Sequence, residues 1–316
     1  MVSFLKTILP KTDTYFGLSF IRSRSVRFFS TALKRRLKQG AYLLTHWTHH
    51  QRLLKVLRLP DIKPLVQKKP IIAYKYLGDY ISSHFTLEDR RKILEDHHHY
   101  IHTYFPQRVL LNLVDGVVLW RNMNAEKPIR IEMTSAERSW MEGELLLKLF
   151  FCDQVVYTLT FTVIQGQMLD IDQTYILLVG GLQGKPHCID VLRETTKMNE
   201  EVHPSAMLLV VLQAIGQFWG VATIAGISTN AQYSGSKKEI PAGFHGKYDR
   251  FWVDHGGFQH DEKVFCVTTS LRKHASSGSH HKSLRKRQLI FKTRVVEEVI
   301  ATMDRERKLK NNEIIK

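Results

Sequence analysis

Cysteine is scarce in this 316-residue chain, which carries only Cys152, Cys188 and Cys266. An odd, widely spaced set excludes a disulfide framework, and no CxxC pair is present to begin a zinc site. The common catalytic signatures are missing as well. There is no HExxH, no GxSxG elbow, no Walker A loop and no GxGxxG fingerprint, so none of those chemistries can be read from a motif. No helix-turn-helix, zinc finger or RNA-binding aromatic pattern occurs, and nucleic acid is not expected as a partner. Acidic residues are nearly absent from one region: residues 1–70 hold 15 lysines and arginines against only Asp13 and Asp61.

What is present is ordinary in bulk and uneven in detail. Hydrophobic residues make up 43% and charged residues 24%, which suits a globular protein and excludes collagen-like and low-complexity classes. The net charge is +16. Residues 271–310 hold 12 basic residues against four acids, whereas residues 71–270 hold 18 against 23. A slightly acidic core, 71–270, therefore sits between a basic helical arm, 1–70, and a basic C-terminal segment, 271–316. Such ends attract polyanions.

Apolar residues interleave with the charge of the first arm, at Phe16, Phe20, Phe28, Leu33, Leu37, Leu44 and Trp47. Basic amphipathic helices of this composition lie in bilayer interfaces. Lys34, Arg35, Arg36 and Lys38 are the candidate membrane-surface residues, with an anionic membrane face as the partner. The apolar run Tyr15–Ile21 is broken by Gly17 and Ser19 and preceded by Asp13, which is a poor export signal. The expected location is cytoplasmic, peripheral to the inner membrane, with the periplasm as the alternative. Residues 206–227 carry no charge over 22 positions. Pro204-Ser205 and Gly220 bracket a helix at 205–219, so the run reads as a buried helix followed by a buried strand at 221–228.

The pattern of elements predicts an α+β fold with a mixed, largely antiparallel sheet and flanking helices. Residues 71–105 read as helical, with Thr86 to Asp89 forming a capping-type start. Strands are expected at 129–133, 144–151, 155–164 and 174–180, with a hairpin at Cys152-Asp153-Gln154. A helix follows at 188–199. Residues 248–254 and 263–269 read as a closing strand pair, and 283–310 as a basic amphipathic helix.

Candidate chemistry is thin. His97, His98, His99 and His102 cluster on one segment, but no carboxylate or cysteine at a defining distance completes a metal set. They read as partly exposed helix histidines, and no metal is expected. Low-specificity ligand-binding candidates are Lys197, His203, Ser205, Asn230, Tyr248 and Trp252. They flank the predicted helix start, follow the buried strand, or belong to the aromatic stretch Tyr248–Asp254. Catalytic residues are not identifiable.

The order of elements resembles that of acyl-CoA-dependent N-acyltransferases of the GNAT type, in which a helix N-terminus and adjacent amides hold the cofactor pyrophosphate. The resemblance implies acyl-CoA as a donor, with no resident cofactor otherwise. The glycine-containing pyrophosphate loop of that family is absent. In its place stands Glu201-Val202-His203-Pro204-Ser205-Ala206, preceded by Glu200, and the two carboxylates would repel a phosphate.

A second resemblance rests on strings: Tyr74-Lys75-Tyr76-Leu77, Leu87-Glu88-Asp89-Arg90-Arg91, His99-Tyr100, Gly180 to Gly184, Thr196-Lys197, Pro204, Tyr248 to Trp252, Gly256-Gly257 and Lys286-Arg287. In this order, over roughly residues 70–300, they resemble the VirK/YbjX family of enteric bacteria. That resemblance implies a virulence-associated accessory role at the cell envelope, supporting surface placement of an outer-membrane or autotransporter protein. A surface virulence protein or its biogenesis machinery is the implied partner. Where that family tends to show Gly-Leu-Arg-Pro, this chain has Glu201-Val202-His203-Pro204. The resemblance carries over no catalytic residue.

Overall fold

The computed structural model describes residues 37–105, 107–122, 126–136, 141–232, 244–271 and 279–313. Lys34, Arg35 and Arg36 lie outside the described residues. Residues 37–45 are helical. Helices α1 (Trp47–Leu57) and α2 (Lys63–Lys68) follow, then a 3-10 helix (Pro70–Leu77) and α3 (Leu87–Tyr104). Thr86 starts α3 through a capping box: its hydroxyl accepts from the Asp89 N–H at 3.2 Å, and the Asp89 carboxylate accepts from the Thr86 N–H at 2.9 Å. Each end thereby satisfies an amide that the helix leaves open.

After α4 (Gln107–Asn112) comes an antiparallel meander: β1 (Val117–Asn122), β2 (Ile129–Ser135), β3 (Leu145–Phe151), β4 (Gln154–Gln165) and β5 (Tyr175–Gly184). The β3–β4 hairpin turns where expected, with Cys152 in a left-handed conformation at φ 52°. Helices α5 (Ile189–Met198) and α6 (Pro204–Trp219) then cross over to β6 (Thr223–Ile227), which runs parallel to β5. Helix α7 (Phe244–Asp254), β7 (Phe258–Gln259), β8 (Val264–Thr268) and the long α8 (Ser279–Glu313) complete the chain. The sheet order is β1-β2-β3-β4-β5-β6-β8-β7, antiparallel except at β5–β6. The α+β expectation, with a mixed and mostly antiparallel sheet, therefore holds.

Four local expectations are corrected. Residues 248–254 are helical, not a strand: Tyr248 and Trp252 are the buried positions, four apart, and Trp252 is 0% exposed. A Cβ on Gly226 would lie 2.1 Å from the Trp252 ring, so β6 leaves the space this indole fills. Strand β5 continues past Gly180-Gly181 to Gly184, because β4 keeps pairing with it to that point. His97 and His98 are buried, each 1% exposed, rather than partly exposed. The helical reading of 71–105 is interrupted: Pro70–Leu77 is a 3-10 helix, and residues 78–86 are not helical before the helix that starts at Leu87. Strand β1, which the sequence reading did not anticipate, pairs with β2 on one side only. The uncharged run at 206–227 is the buried α6 and β6. Among the described residues, no helix is long and apolar enough to cross a membrane.

Both faces of the central strands are covered, since consecutive positions of β4 and β5 are buried, the pattern of a sheet packed on two sides. Helices α3 and α6 both lie against β4. One continuous cluster runs from Leu53 and Leu57 in α1 to Phe291, Val295, Val299 and Met303 in α8. Each such burial contributes about 1.5–3 kcal/mol, while an exposed ion pair contributes about 0–1 kcal/mol. The apolar face of α8 thus decides its docking, and its charges only choose which side faces water.

Inside this core sits an ion pair. Lys75 Nζ lies 2.5 Å from Glu144 Oε1 and donates to the Gly143 carbonyl at 3.0 Å. The Tyr80 hydroxyl donates to the same carboxylate at 2.5 Å, and the Glu144 N–H donates to the Thr162 hydroxyl at 3.1 Å. His98 Nε2 lies 3.9 Å from Glu144 Oε2, and its Nδ1 is 2.9 Å from the Leu94 carbonyl. His97 Nδ1 accepts from the Val163 N–H at 3.2 Å. Burial pushes the Lys75 and His98 pKa values down, Glu144 opposing it in both, and pushes that of Tyr80 well up. Of the histidines singled out in the sequence, His97 ties α3 to β4 and His98 faces Glu144, whereas His99 is exposed and His102 lies 3.2 Å from Asp61.

Removing one partner of a buried pair leaves an uncompensated charge. Glu144→Ala is expected to lower the unfolding free energy by about 3–5 kcal/mol, and Tyr80→Phe by about 1 kcal/mol, measured by urea denaturation. A Glu144→Ala variant as stable as the parent would show that Lys75 reaches water.

Candidate functional site

Strands β5 and β6 hydrogen-bond to each other only over Leu177–Val179 and Ile224–Gly226. Beyond this point β6 ends, while β5 runs on to Gly184. The carboxyl end of a parallel pair, where the connectivity of an open sheet changes direction, is where α/β sheets place ligands. Three segments converge on this end: the start of α6, the turn after β6 with α7, and the lead-in to β3.

The lead-in supplies the least expected group. Glu142 lies over the two glycines of β5. A Cβ on Gly180 would lie 2.1 Å from the Glu142 carbonyl oxygen, and one on Gly181 would lie 2.1 Å from Glu142 Oε2. Only glycines admit the segment here. The carboxylate accepts from Gln183 Nε2 at 2.5 Å. Burial raises its pKa to about 7, the Gln183 bond opposing it. A half-buried carboxyl near pH 7, bonded to an exposed side chain, has the properties of a general base. Its charge is also felt by Tyr248, whose pKa burial pushes well up. The pair Gly180-Gly181 was the only sequence signal at this place, and it pointed to a turn; the carboxylate was missed, because its partners lie about 40 residues away in the chain.

At the start of α6, His203 and Ser205 come together. His203 Nδ1 accepts from the Ser205 N–H at 3.2 Å and lies 2.8 Å from the Ser205 hydroxyl. Burial raises the Tyr157 pKa, Ser205 opposing it, and the Tyr157 ring stands edge-on to His203 at 5.7 Å. A Cβ on Gly184 would lie 2.9 Å from that ring, so the end of β5 closes on this cluster. Lys197, in the last turn of α5, is exposed. On the other side, Tyr248 and Trp252 pack edge to face at 6.0 Å and are core residues. Asn230 is exposed in the 3-10 turn after β6. The Asp249 carboxylate fixes this turn by accepting from the Thr229 N–H at 2.8 Å and hydroxyl at 3.0 Å. The six sequence candidates thus fall into two groups flanking the strand ends, with Glu142 between β5 and Tyr248.

The loop before α6 does not fit a nucleotide pyrophosphate. Pro204 has no N–H, and the Ser205 N–H is taken by His203. The carboxylates Glu200 and Glu201 precede it, at φ 53° and 60°, a left-handed conformation that non-glycine residues adopt at a cost. A cavity of about 110 Å³ at the end of β6, lined by Ser82, His84, Asp89, Leu169, Ile227 and Lys263 among others, is smaller than the roughly 300–1,000 Å³ of small-molecule pockets and does not include Glu142. Among the described residues, no group of histidines, cysteines and carboxylates is placed to hold a metal.

Fold and site together define an open α+β sheet protein with a titratable carboxyl at the carboxyl end of its one parallel strand pair. Residues 29–292 match DUF535, a family described as a protein of unknown function, and the chain belongs to that family. It is the family that the VirK/YbjX resemblance indicates. No curated protein and no solved structure matches the chain.

The raised Glu142 pKa sets a pH dependence. A carboxyl whose folded pKa lies above its unfolded value stabilises the fold most below about pH 4.5, and this contribution is lost as pH rises through about 7. Glu142→Gln should therefore gain about 1 kcal/mol of stability relative to the parent between pH 5 and pH 8, measured by urea denaturation at both values. An unchanged difference would place Glu142 in water.

Proposed function

We propose that the protein is an acyl-transferring enzyme of GNAT-like architecture acting on a component of the bacterial envelope. Glu142 is the observation that carries the reading: a carboxyl titrating near 7, held by two glycines at the carboxyl end of the β5–β6 pair. The meander, the crossover helix α6, the parallel β6 and the inserted closing strand β8 support it as an analogy of topology. In this reading the Glu142 carboxylate removes a proton from an acceptor hydroxyl or amine. The acceptor atom attacks the carbonyl of an acyl thioester. The carbon–sulfur bond breaks, and the proton returns to the departing thiolate, so acyl acceptor and free thiol are the products. Tyr248 and Asn230 flank the acceptor side, and Ser205 and His203 the donor side.

A second observation bears on where this happens. Leu37, Leu44 and Trp47 are 64%, 74% and 43% exposed, and Lys38 beside them is exposed. An apolar stripe that no described residue covers, with adjoining cations, supports membrane-surface docking, and so a peripheral position at the inner membrane. A VirK-type role in surface placement of a virulence protein would then follow from modifying an envelope component on which that protein depends.

Two measurements test these readings. A short acyl-pantetheine thioester at millimolar concentration should raise the melting temperature, and Glu142→Gln should slow thiol release in the presence of envelope extract by about 10²–10⁴-fold. No shift and no thiol release would end the enzymatic reading. Vesicles containing anionic lipid should retain the protein at physiological salt, and replacing Lys34, Arg35, Arg36 and Lys38 by alanine should release it, each cation contributing about 1 kcal/mol. Equal retention by neutral vesicles would remove the electrostatic part.

A further inference from the structure

The proposed thioester chemistry leaves open what carries the acyl group, and the surroundings of the α6 N-terminus bear on this. Two of the first-turn amides that would cradle a diphosphate are lost there, Pro204 having no N–H and that of Ser205 being bonded to His203, and two carboxylates precede them. A nucleotide donor would bring its phosphates against Glu200 and Glu201 with two of the first-turn backbone donors missing.

The neighbouring surface has the opposite character. Gln288 of α8 donates to the Glu201 carbonyl at 3.0 Å, which fixes α8 beside this loop. In the turn before Gln288, Arg285, Lys286 and Arg287 are all exposed. None of the three has an ion-pair partner among the described residues, although Arg294 and Arg307 of the same helix do. One turn beyond Gln288, on the same face, Lys292 is half-buried, and burial lowers its pKa. Lys197 is exposed three residues before Glu200. Five cations therefore form a basic rim on α5 and α8, the two helices that flank the Glu200-Glu201 loop. Apolar packing of Phe291, Val295 and Val299 holds the helix in place, so these charges are not needed for folding.

Resting on the acyl-transfer reading, we infer that this rim docks an acidic carrier protein that delivers the acyl chain on a phosphopantetheine arm. The arm carries one phosphodiester rather than a nucleotide diphosphate, so it does not need the missing amide cradle. The acidic face of the carrier meets Arg285, Lys286 and Arg287, and the arm passes the start of α6 toward Glu142. Charge complementarity of this kind sets association rate and specificity and is screened by salt.

The test uses the full chain with three probes: octanoyl acyl carrier protein, octanoyl-CoA and octanoyl-pantetheine. The carrier protein should bind more tightly than octanoyl-CoA, and binding should weaken with added salt. The charge-reversal variant R285E/K286E/R287E should bind the carrier at least about tenfold more weakly and leave octanoyl-pantetheine binding unchanged. The exposed control R52E, on α1, should change neither. Preference for octanoyl-CoA, or carrier binding unaffected by the triple reversal, would overturn the inference and leave the acyl-transfer reading standing. The same holds if the reversal abolishes only binding to anionic vesicles, which would make the rim a membrane face. Loss of octanoyl-pantetheine binding in the triple variant would mean that the fold, not the docking surface, had been damaged. The single variants R285E and R287E, with melting temperatures matching the parent, then take its place under the same criteria. If none of the three thioesters binds the parent chain, the acyl-transfer reading falls and the inference with it.

Discussion

Past Val179 and Gly226 the parallel strands β5 and β6 stop sharing hydrogen bonds, yet β4 holds β5 in the sheet to Gly184. The sheet therefore has an open seam at the end of its one parallel pair. Glycine at 180 and 181 lets the lead-in to β3 settle there, and any side chain would collide with Glu142. This steric constraint sets the depth of the Glu142 carboxyl, and depth in turn sets its pKa. Two residues further on, the same segment carries Glu144 into the Lys75–Tyr80–His98 network. One short stretch thus serves a buried structural carboxylate and a titratable one at the seam.

The charge of the chain acquires meaning from this framework. Ten of the first 15 cations precede residue 55, where the apolar residues Leu37, Leu44 and Trp47 remain exposed. From Leu53 onward the arm buries its apolar side against α3 and the core. At the other end, α8 buries Phe291, Val295 and Val299 and turns Arg285, Lys286 and Arg287 outward beside α6. Burial of aliphatic and aromatic area outweighs surface electrostatics by several-fold per residue. Packing consequently decided the positions, and the exposed cations became a feature of the surface.

Much of the fold was legible because local rules and tertiary demand agreed. The capping box at Thr86, the β3–β4 hairpin, the start of α6 at Pro204 and its end at Gly220 needed only nearby residues. The helix α7 was not legible as one. Tyr248 to Asp254 mixes aromatic and β-branched residues that suit a strand, and only Gly226, 26 residues from Trp252, shows that the indole points across β6. His97 and His98 looked like surface histidines for a similar reason. Their partners, the Val163 amide and the Glu144 carboxylate, come from other elements.

Sequence alone determined the class of fold, the order of most elements, the uneven charge and the absence of a recognisable catalytic motif. These follow from residue type and short-range periodicity, which the chain carries locally. Tertiary structure alone decided that burial raises the Glu142 pKa to about 7, that His203 takes the Ser205 N–H at the start of α6, and that three cations without an ion-pair partner among the described residues stand beside it. Desolvation and field depend on neighbours distant in the chain, so no local pattern could report them.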